Sequence, residues 1–243
     1  MVKVMGIIKT SGIVILESNM GDYDKMITLL TPELGKIGCS AKGARRPKSL
    51  LLAGTQFLCF GDYMLYKGTN TYHINSCEMT EVFYEIRTDW DKLKYASHIA
   101  KIINEVTNEN EDCREIIQLL LNTLYIIAKT DKNLDLVLAI FKLRLLCILG
   151  FTPNIMGCQN CKKNEDIIYF SLKDNGFKCG ICGKQDTGAI QISPGTRTAI
   201  RYIVMKEPKQ LYSFNISENC IKELEIISKL YMNEKLEKEY KLE

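Results

Sequence analysis

Four cysteines in two pairs carry the most specific chemistry in this sequence. They stand at Cys158, Cys161, Cys179 and Cys182, which gives the spacing C-x2-C-x17-C-x2-C. Two such pairs can close four thiolates around one zinc ion. Because cysteine fills all four positions, no ligand position is left open for water or substrate. The spacing therefore predicts a single structural zinc ion rather than a catalytic one.

Two other interpretations of these cysteines stay open at this point. A CxxC pair also suits thiol redox chemistry, although that use belongs to a βαβ context that these pairs lack. Disulfide bonds are less expected, because the segment Met1–Ile8 is too short for a secretory signal. The other cysteines are scattered, several of them in apolar runs, as expected for reduced thiols in a cytoplasmic protein: Cys39, Cys59, Cys77, Cys113, Cys147 and Cys220.

A second group of residues is basic and lies near the N-terminus. No acidic residue occurs between Glu33 and Asp62, whereas five cations fall inside that interval. Lysine and arginine neutralise phosphates, and a serine hydroxyl can add a bond to a phosphate oxygen. The pattern predicts a nucleic-acid-binding loop, and a solvated loop that merely aids solubility is the alternative. The candidate residues are Lys36, Lys42, Arg45, Arg46, Lys48 and Ser49.

The elements that must position this loop are short β-strands. Residues 1–80 contain about five short β-prone runs separated by glycine corners, which fits a small closed barrel of the OB-fold type. Aromatic side chains beside a basic loop on such a barrel can stack on the bases of a single strand. Strand alternation places about half of the candidates inside the barrel. They are Tyr23, Phe57, Phe60, Tyr63, Tyr66 and Tyr72.

The remainder of the chain changes to helical spacing. Residues 116–127 and 134–149 are apolar on nearly every face, which predicts helices buried among other helices. The sequence thus predicts an α+β multidomain protein, with an OB-fold domain over 1–80 and a helical domain over 81–243. The cysteine module is inserted in the helical domain at about 155–190. C-terminal helices follow, the first capped by Ser193 with Pro194 in its first turn.

Several kinds of chemistry are not indicated. The chain has 243 residues, 25% of them charged, and a net charge of +3, which is ordinary for a folded protein. No phosphate-binding GxxxxGK[ST] loop or metalloprotease HExxH motif is present, so no nucleotide cofactor is expected. No apolar stretch is long enough to suggest a membrane span. We therefore expect a binding protein rather than an enzyme.

The order of these parts resembles the bacterial RecO family of recombination and DNA-repair proteins. The similarity is carried by the turn Gly21–Asp24, the loop Lys42–Ser49, and the stretch Phe141–Leu146 with Leu149–Pro153 just before Cys158. It runs nearly from end to end. Position 142 is lysine, where family members often have an acid, and some members lack the cysteines. The resemblance implies an OB-fold domain, a helical middle and a zinc module that acts as scaffold.

What the resemblance implies about function is non-enzymatic. Such proteins bind single- and double-stranded DNA, anneal complementary strands, engage the acidic C-terminal tail of single-stranded DNA-binding protein (SSB), and act with RecR and RecF to load RecA. An acidic, apolar-ended tail requires a groove with a cation at its mouth, and the candidate cations are Lys129, Lys142 and Arg144. A cytoplasmic, nucleoid-associated protein is expected. A transcription or RNA-processing regulator built on a zinc ribbon and an OB-fold is the alternative.

Overall fold

A computed structural model describes residues 6–69 and 71–242. The chain divides into two compact units, Met1–Leu124 and Tyr125–Glu243. Part of the segment Met1–Ile8 therefore lies outside the described residues. Within them, no helix is both long and apolar enough to cross a membrane.

The first unit is built around a closed five-stranded barrel, which confirms the predicted OB-type fold. Its strands are β1 (Ile7–Met20), β2 (Asp24–Thr31), β3 (Gly35–Ala41), β4 (Phe60–Lys67) and β5 (Tyr72–Glu81), in the order β1-β2-β3-β5-β4. The 14-residue β1 pairs with β4 through its first half and with β2 through its second half. The strand runs through Gly12 without a break, so that one continuous strand closes the barrel.

The barrel interior holds the apolar face of each strand. Val14, Leu29, Ile37, Tyr63 and Leu65 are buried there. The Tyr63 hydroxyl donates a 2.8 Å hydrogen bond to the carbonyl of Gly54, so that its polar end is satisfied inside the core. This burial follows the alternation of each strand and fixes which side chains face solvent at the rim.

The join between β3 and β5 differs from the other four. These two strands run parallel and pair at only two positions, Cys39 with Tyr72 and Ser40 with His73. The Ser40 Oγ and His73 Nδ1 atoms lie 2.5 Å apart across this seam. Every other neighbouring pair of strands in the barrel is antiparallel and longer.

The first unit also contains helices. Helix α1 (Tyr84–Arg87) leads into α2 (Trp90–Val106), which Asp89 caps and which packs against β1. Helix α3 (Arg114–Lys129) begins in the first unit and ends in the second. Helix α2 lies in the first unit because it packs against β1, and the domain boundary after residue 80 stays a prediction.

The second unit combines helices with a small sheet. Helix α4 (Leu134–Ile148) is buried along most of its length and packs against α6 (Pro194–Met205) and α7 (Glu218–Lys235). The sheet has the order β7-β6-β8, formed by β6 (Ile167–Ser171), β7 (Gly176–Cys179) and β8 (Ala189–Gln191), with α5 (Gly180–Lys184) between β7 and β8. A short 3-10 helix, Pro208–Gln210, precedes α7. Ser193 caps α6 as predicted, its hydroxyl accepting a hydrogen bond from the Thr196 N–H.

Candidate nucleic-acid interface and metal centre

The four predicted cysteine ligands come together in the second unit. The sulfur atoms of Cys158, Cys161, Cys179 and Cys182 all lie within 4.8 Å of one another. The Cys161 and Cys179 sulfurs are 3.7 Å apart. Four thiolates held about 2.3 Å from one zinc ion in a tetrahedron lie about 3.8 Å apart, so this spacing fits a tetrahedral metal centre.

Local folding aims the two pairs inward. The Cys158 N–H donates a 2.8 Å hydrogen bond to the Lys163 carbonyl, and the Lys162 N–H returns one of 2.9 Å to the Cys158 carbonyl. Cys179 ends β7, and Cys182 follows within α5, so that sheet and helix together fix the second pair. Gly183 lies against the Tyr169 ring so closely that a Cβ atom there would clash with it.

The surroundings of two of these sulfurs favour the thiolate that a metal requires. Burial raises the pKa of Cys158, but hydrogen bonds from backbone N–H groups, including that of Cys161, outweigh it and lower the pKa to about 6. A backbone hydrogen bond from Cys182 also lowers the pKa of Cys179. Three of the four residues are at least half-buried and Cys161 is exposed. The donor set thus fits a closed structural site.

The basic loop Lys42–Ser49 leaves the barrel directly after β3. Its cations Lys42, Arg45, Arg46 and Lys48 are all exposed, as predicted for a loop that meets a polyanion. None of these four forms an ion pair with a carboxylate in the part of the chain that the structure describes. Their charge is therefore available to phosphates.

Hydrogen bonds to the turn between β1 and β2 hold this loop in place. The Asp24 carboxylate accepts a 2.7 Å bond from the Gly43 N–H, and the Tyr23 carbonyl accepts a 2.9 Å bond from the Arg45 N–H. Ala44 is fully buried and packs in the barrel core. Gly43 has a φ of +65°, a left-handed conformation that a larger residue would adopt only with strain. The loop is thereby anchored while its cations point outward.

The role of Asp24 in holding the basic loop was not predicted from the sequence. A carboxylate beside a turn commonly bonds to its immediate neighbours, whereas that of Asp24 reaches the loop 19 residues away. Only the antiparallel register of β2 and β3 brings the two segments together, since Lys25 pairs with Ala41 at that end of the ladder.

Lys36 and Ser49 are less accessible to phosphates than the cations of the loop. The Lys36 ammonium donates to the carbonyl of Asn104, which leaves it less available than the loop cations. The half-buried Ser49 accepts a 3.2 Å bond at its hydroxyl oxygen from the Leu51 N–H. The exposed members of the predicted interface are therefore Lys42, Arg45, Arg46 and Lys48.

The three cations predicted to meet a partner protein have different environments. Lys129 is exposed and ends α3. Lys142 is only 4% exposed within α4. The Arg144 guanidinium donates bonds of 3.3 and 2.9 Å to the carbonyls of Ile203 and Val204, and so caps the last turn of α6. The structure does not present these three side chains as one exposed group.

Comparisons with known proteins agree with this arrangement along the whole chain. The family model described as "Recombination protein O N terminal" matches residues 5–83, and the one described as "Recombination protein O C terminal" matches residues 87–243. The chain belongs to the RecO family. It is 44% identical to the DNA repair protein RecO of Acetivibrio thermocellus over 237 residues, which cover 97% of this chain and 94% of that protein.

Further RecO proteins are similar at lower identity. The RecO of Alkaliphilus metalliredigens is 32% identical over 93% of this chain and 92% of its own length. That of Bacillus subtilis is 30% identical over 93% of this chain and 88% of its own length. Membership of this family of DNA repair proteins, inferred first from the loop and the order of parts, is thus confirmed.

The cysteine cluster predicts a metal-dependent stability. A structural four-cysteine site contributes an apparent binding free energy on the order of 10 kcal/mol. Cys182→Ser should abolish binding of about one metal ion per chain and, at roughly 2 to 4 °C per kcal/mol, lower the melting temperature by about 20 °C or more. Elemental analysis measures the metal content, and calorimetry measures the melting temperature.

Cys77→Ser is the control, because it changes a half-buried thiol outside the cluster. This variant should keep the metal. A metal-free Cys182→Ser protein that melts like the wild type would contradict the claim.

The buried Lys142 predicts a stability that depends on pH. Burial, and then the nearby Lys229, lower its pKa to about 8, below its ordinary value of 10.5. A depressed lysine pKa means that the folded state binds the proton less tightly than the unfolded state, so this residue destabilises the fold below about pH 8. That cost is relieved as the pH rises from about 8 toward 10.5.

Replacing this lysine with an apolar residue of similar length should remove the cost. Lys142→Met should therefore be more stable than the wild type at neutral pH, by on the order of 2 kcal/mol. The difference between the two proteins should shrink as the pH rises above 8. Urea unfolding across this pH range measures it, and a difference that stays constant with pH would show that Lys142 is not the titrating group.

Proposed function

We propose that this chain is a non-enzymatic mediator of recombination and DNA repair. It binds single- and double-stranded DNA, anneals complementary strands, and acts with RecR and RecF to load RecA onto strands coated with SSB. One observation carries the proposal: the loop anchored beside the closed barrel holds four exposed cations that have no carboxylate partner among the residues described. The family membership supplies the biological setting.

The chemistry of annealing agrees with such a surface. Two complementary strands repel each other through their phosphates, and a protein that neutralises phosphates releases condensed counterions and lowers this repulsion. No bond in either strand needs to be made or broken, so the reaction calls for no catalytic group. This reasoning favours a binding protein over an enzyme.

The proposed metal is one zinc ion with a structural role. Four thiolates in tetrahedral spacing select zinc or an iron–sulfur centre among common metals, and the single closed set of cysteines favours zinc. Such a centre would act as scaffold. It would tie the segment that carries Cys158 and Cys161 to β7 and α5, which carry Cys179 and Cys182.

The proposed protein partners are RecR and the C-terminal tail of SSB. Acidic peptides dock where a cation lies beside an apolar groove. Among the three candidate cations, Lys129 is the exposed one, and we keep it as the proposed contact for the tail. Lys142 is instead buried in α4, and the guanidinium of Arg144 caps α6.

Annealing of coated strands tests the function directly. The purified protein should accelerate pairing of two complementary oligonucleotides that have been coated with SSB, measured by energy transfer between fluorophores on the two strands. A transcriptional or RNA-processing regulator would bind nucleic acid without this acceleration. Absence of acceleration by a protein that binds the strands would refute the mediator role.

The basic loop predicts a steep salt dependence of binding. Four phosphate contacts to a single strand give a slope of log K against log salt of about −3, and the triple variant Arg45→Ala, Arg46→Ala, Lys48→Ala should bring it to about −1. Fluorescence anisotropy across a salt series measures this slope.

The control variant replaces three exposed lysines of the second unit and so removes the same charge. It should keep the steep slope, and its changes are Lys173→Ala, Lys209→Ala and Lys222→Ala. Equal slopes in both variants would assign the affinity to net charge rather than to the loop.

A further inference from the structure

A cavity lies beside the basic loop and has both apolar and cationic walls. It has a volume of about 560 Å³ and is lined by Tyr23, Arg46, Pro47 and Lys48. Two rings, one of tyrosine and one of proline, thus face the same space as two cations. A volume of this size falls in the range of small-molecule sites, and the cavity is broadly open to solvent.

Tyr23 is the aromatic residue of this cavity and is held by the same bonds as the loop. It stands in a three-residue turn between β1 and β2, since Met20 pairs with Asp24. The first residue of that turn, Gly21, has a φ of +56°, which glycine adopts without strain. The Tyr23 carbonyl accepts the Arg45 N–H bond, and the Arg45 guanidinium donates a 3.1 Å bond to the Gly21 carbonyl. The ring is therefore positioned next to the phosphate-binding cations.

Among the six aromatic candidates, the structure selects this one. Tyr63 and Tyr72 are buried in the barrel core, and Phe57, Phe60 and Tyr66 are half-buried. Tyr23 is 52% exposed and shares its cavity with loop cations. A base can stack only on a ring whose face is reachable from solvent, so Tyr23 has the environment that stacking requires.

The face of this ring is covered by a side chain that can leave it. The Arg46 guanidinium carbon lies 5.4 Å from the centre of the Tyr23 ring, a cation–π contact. An exposed contact of this kind is weak, and a nearby phosphate offers the guanidinium a charge-assisted bond instead. Movement of Arg46 to a phosphate would free the ring face within the same cavity.

We propose that this cavity holds one unpaired nucleobase, stacked on Tyr23 against Pro47, while Arg46 turns to the adjoining phosphate. The inference rests on the proposed function, because it assigns a further contact to the same loop. A base within a duplex is stacked and paired and cannot present its face to a tyrosine, so the cavity gives the protein a preference for single strands. Phosphate contacts alone do not distinguish the two.

The test removes the ring and keeps the charge. Stacking of one base on an aromatic ring supports about a tenfold gain in affinity, so Tyr23→Leu should bind a fluorescent single strand about tenfold more weakly, with an unchanged salt slope. Binding to a duplex and to a base-free strand of abasic sugar-phosphate units should stay as in the wild type. Tyr23→Phe, which keeps the ring, should restore binding to the single strand.

Tyr84→Leu is the matched control, because Tyr84 is exposed in the same unit but does not line the cavity. It should bind all three probes like the wild type. Full affinity of Tyr23→Leu for the single strand overturns the inference and leaves the proposed function standing, as does an equal loss on the single strand and the abasic strand. Wild-type protein that binds none of the probes overturns both.

Discussion

Closure of the barrel by one long strand is the constraint on which the candidate interface depends. Because β1 hydrogen-bonds to β4 along its first half and to β2 along its second half, the turn that follows it is held at a fixed place on the rim. The turn supplies the Tyr23 carbonyl and the first residue of β2 supplies the Asp24 carboxylate, the two groups that hold the basic loop. Buried Ala44 adds an apolar anchor in the barrel core. A loop of like charges, which would repel itself as a free segment, is thereby kept close to the barrel.

The four-cysteine cluster also brings separate segments of the chain together, but through its thiolates rather than through strand pairing. The sheet β7-β6-β8 is small, and its longest strand has five residues, so its own ladder supplies little cooperative stability. A cluster of four thiolates links a loop, a strand and a short helix that such a sheet alone would not hold. Aromatic packing stabilises the apolar side of the module, where Phe170 packs edge to face against both Phe177 and Tyr231. A metal bound by the four cysteines and the packing of the aromatic rings would therefore stabilise different parts of the same module.

Much of this could be read from the sequence because the signals were local. Cysteine spacing identified the metal ligands, periodicity identified α3 and α4, and the acid-free interval identified the basic loop. The pinning of that loop by Asp24 could not be predicted, since it depends on strand register across 19 residues. The burial of Lys142 was equally hidden, because a single lysine in an apolar helix can extend outward or pack inward, and only the neighbouring helices decide. The same holds for Arg144, a candidate for meeting an acidic tail, whose guanidinium instead donates to carbonyls at the end of α6.

The short parallel seam between β3 and β5 has a consequence for the dynamics of the barrel. With only two paired positions, it offers the least main-chain hydrogen bonding of the five joins, so local opening of the cylinder costs the least free energy there. Amide protons at this seam should exchange with solvent earlier than those of the β1 ladders. Because β3 runs directly into the basic segment, such breathing would give the segment room to adapt to an irregular polyanion while the rest of the cylinder stays intact.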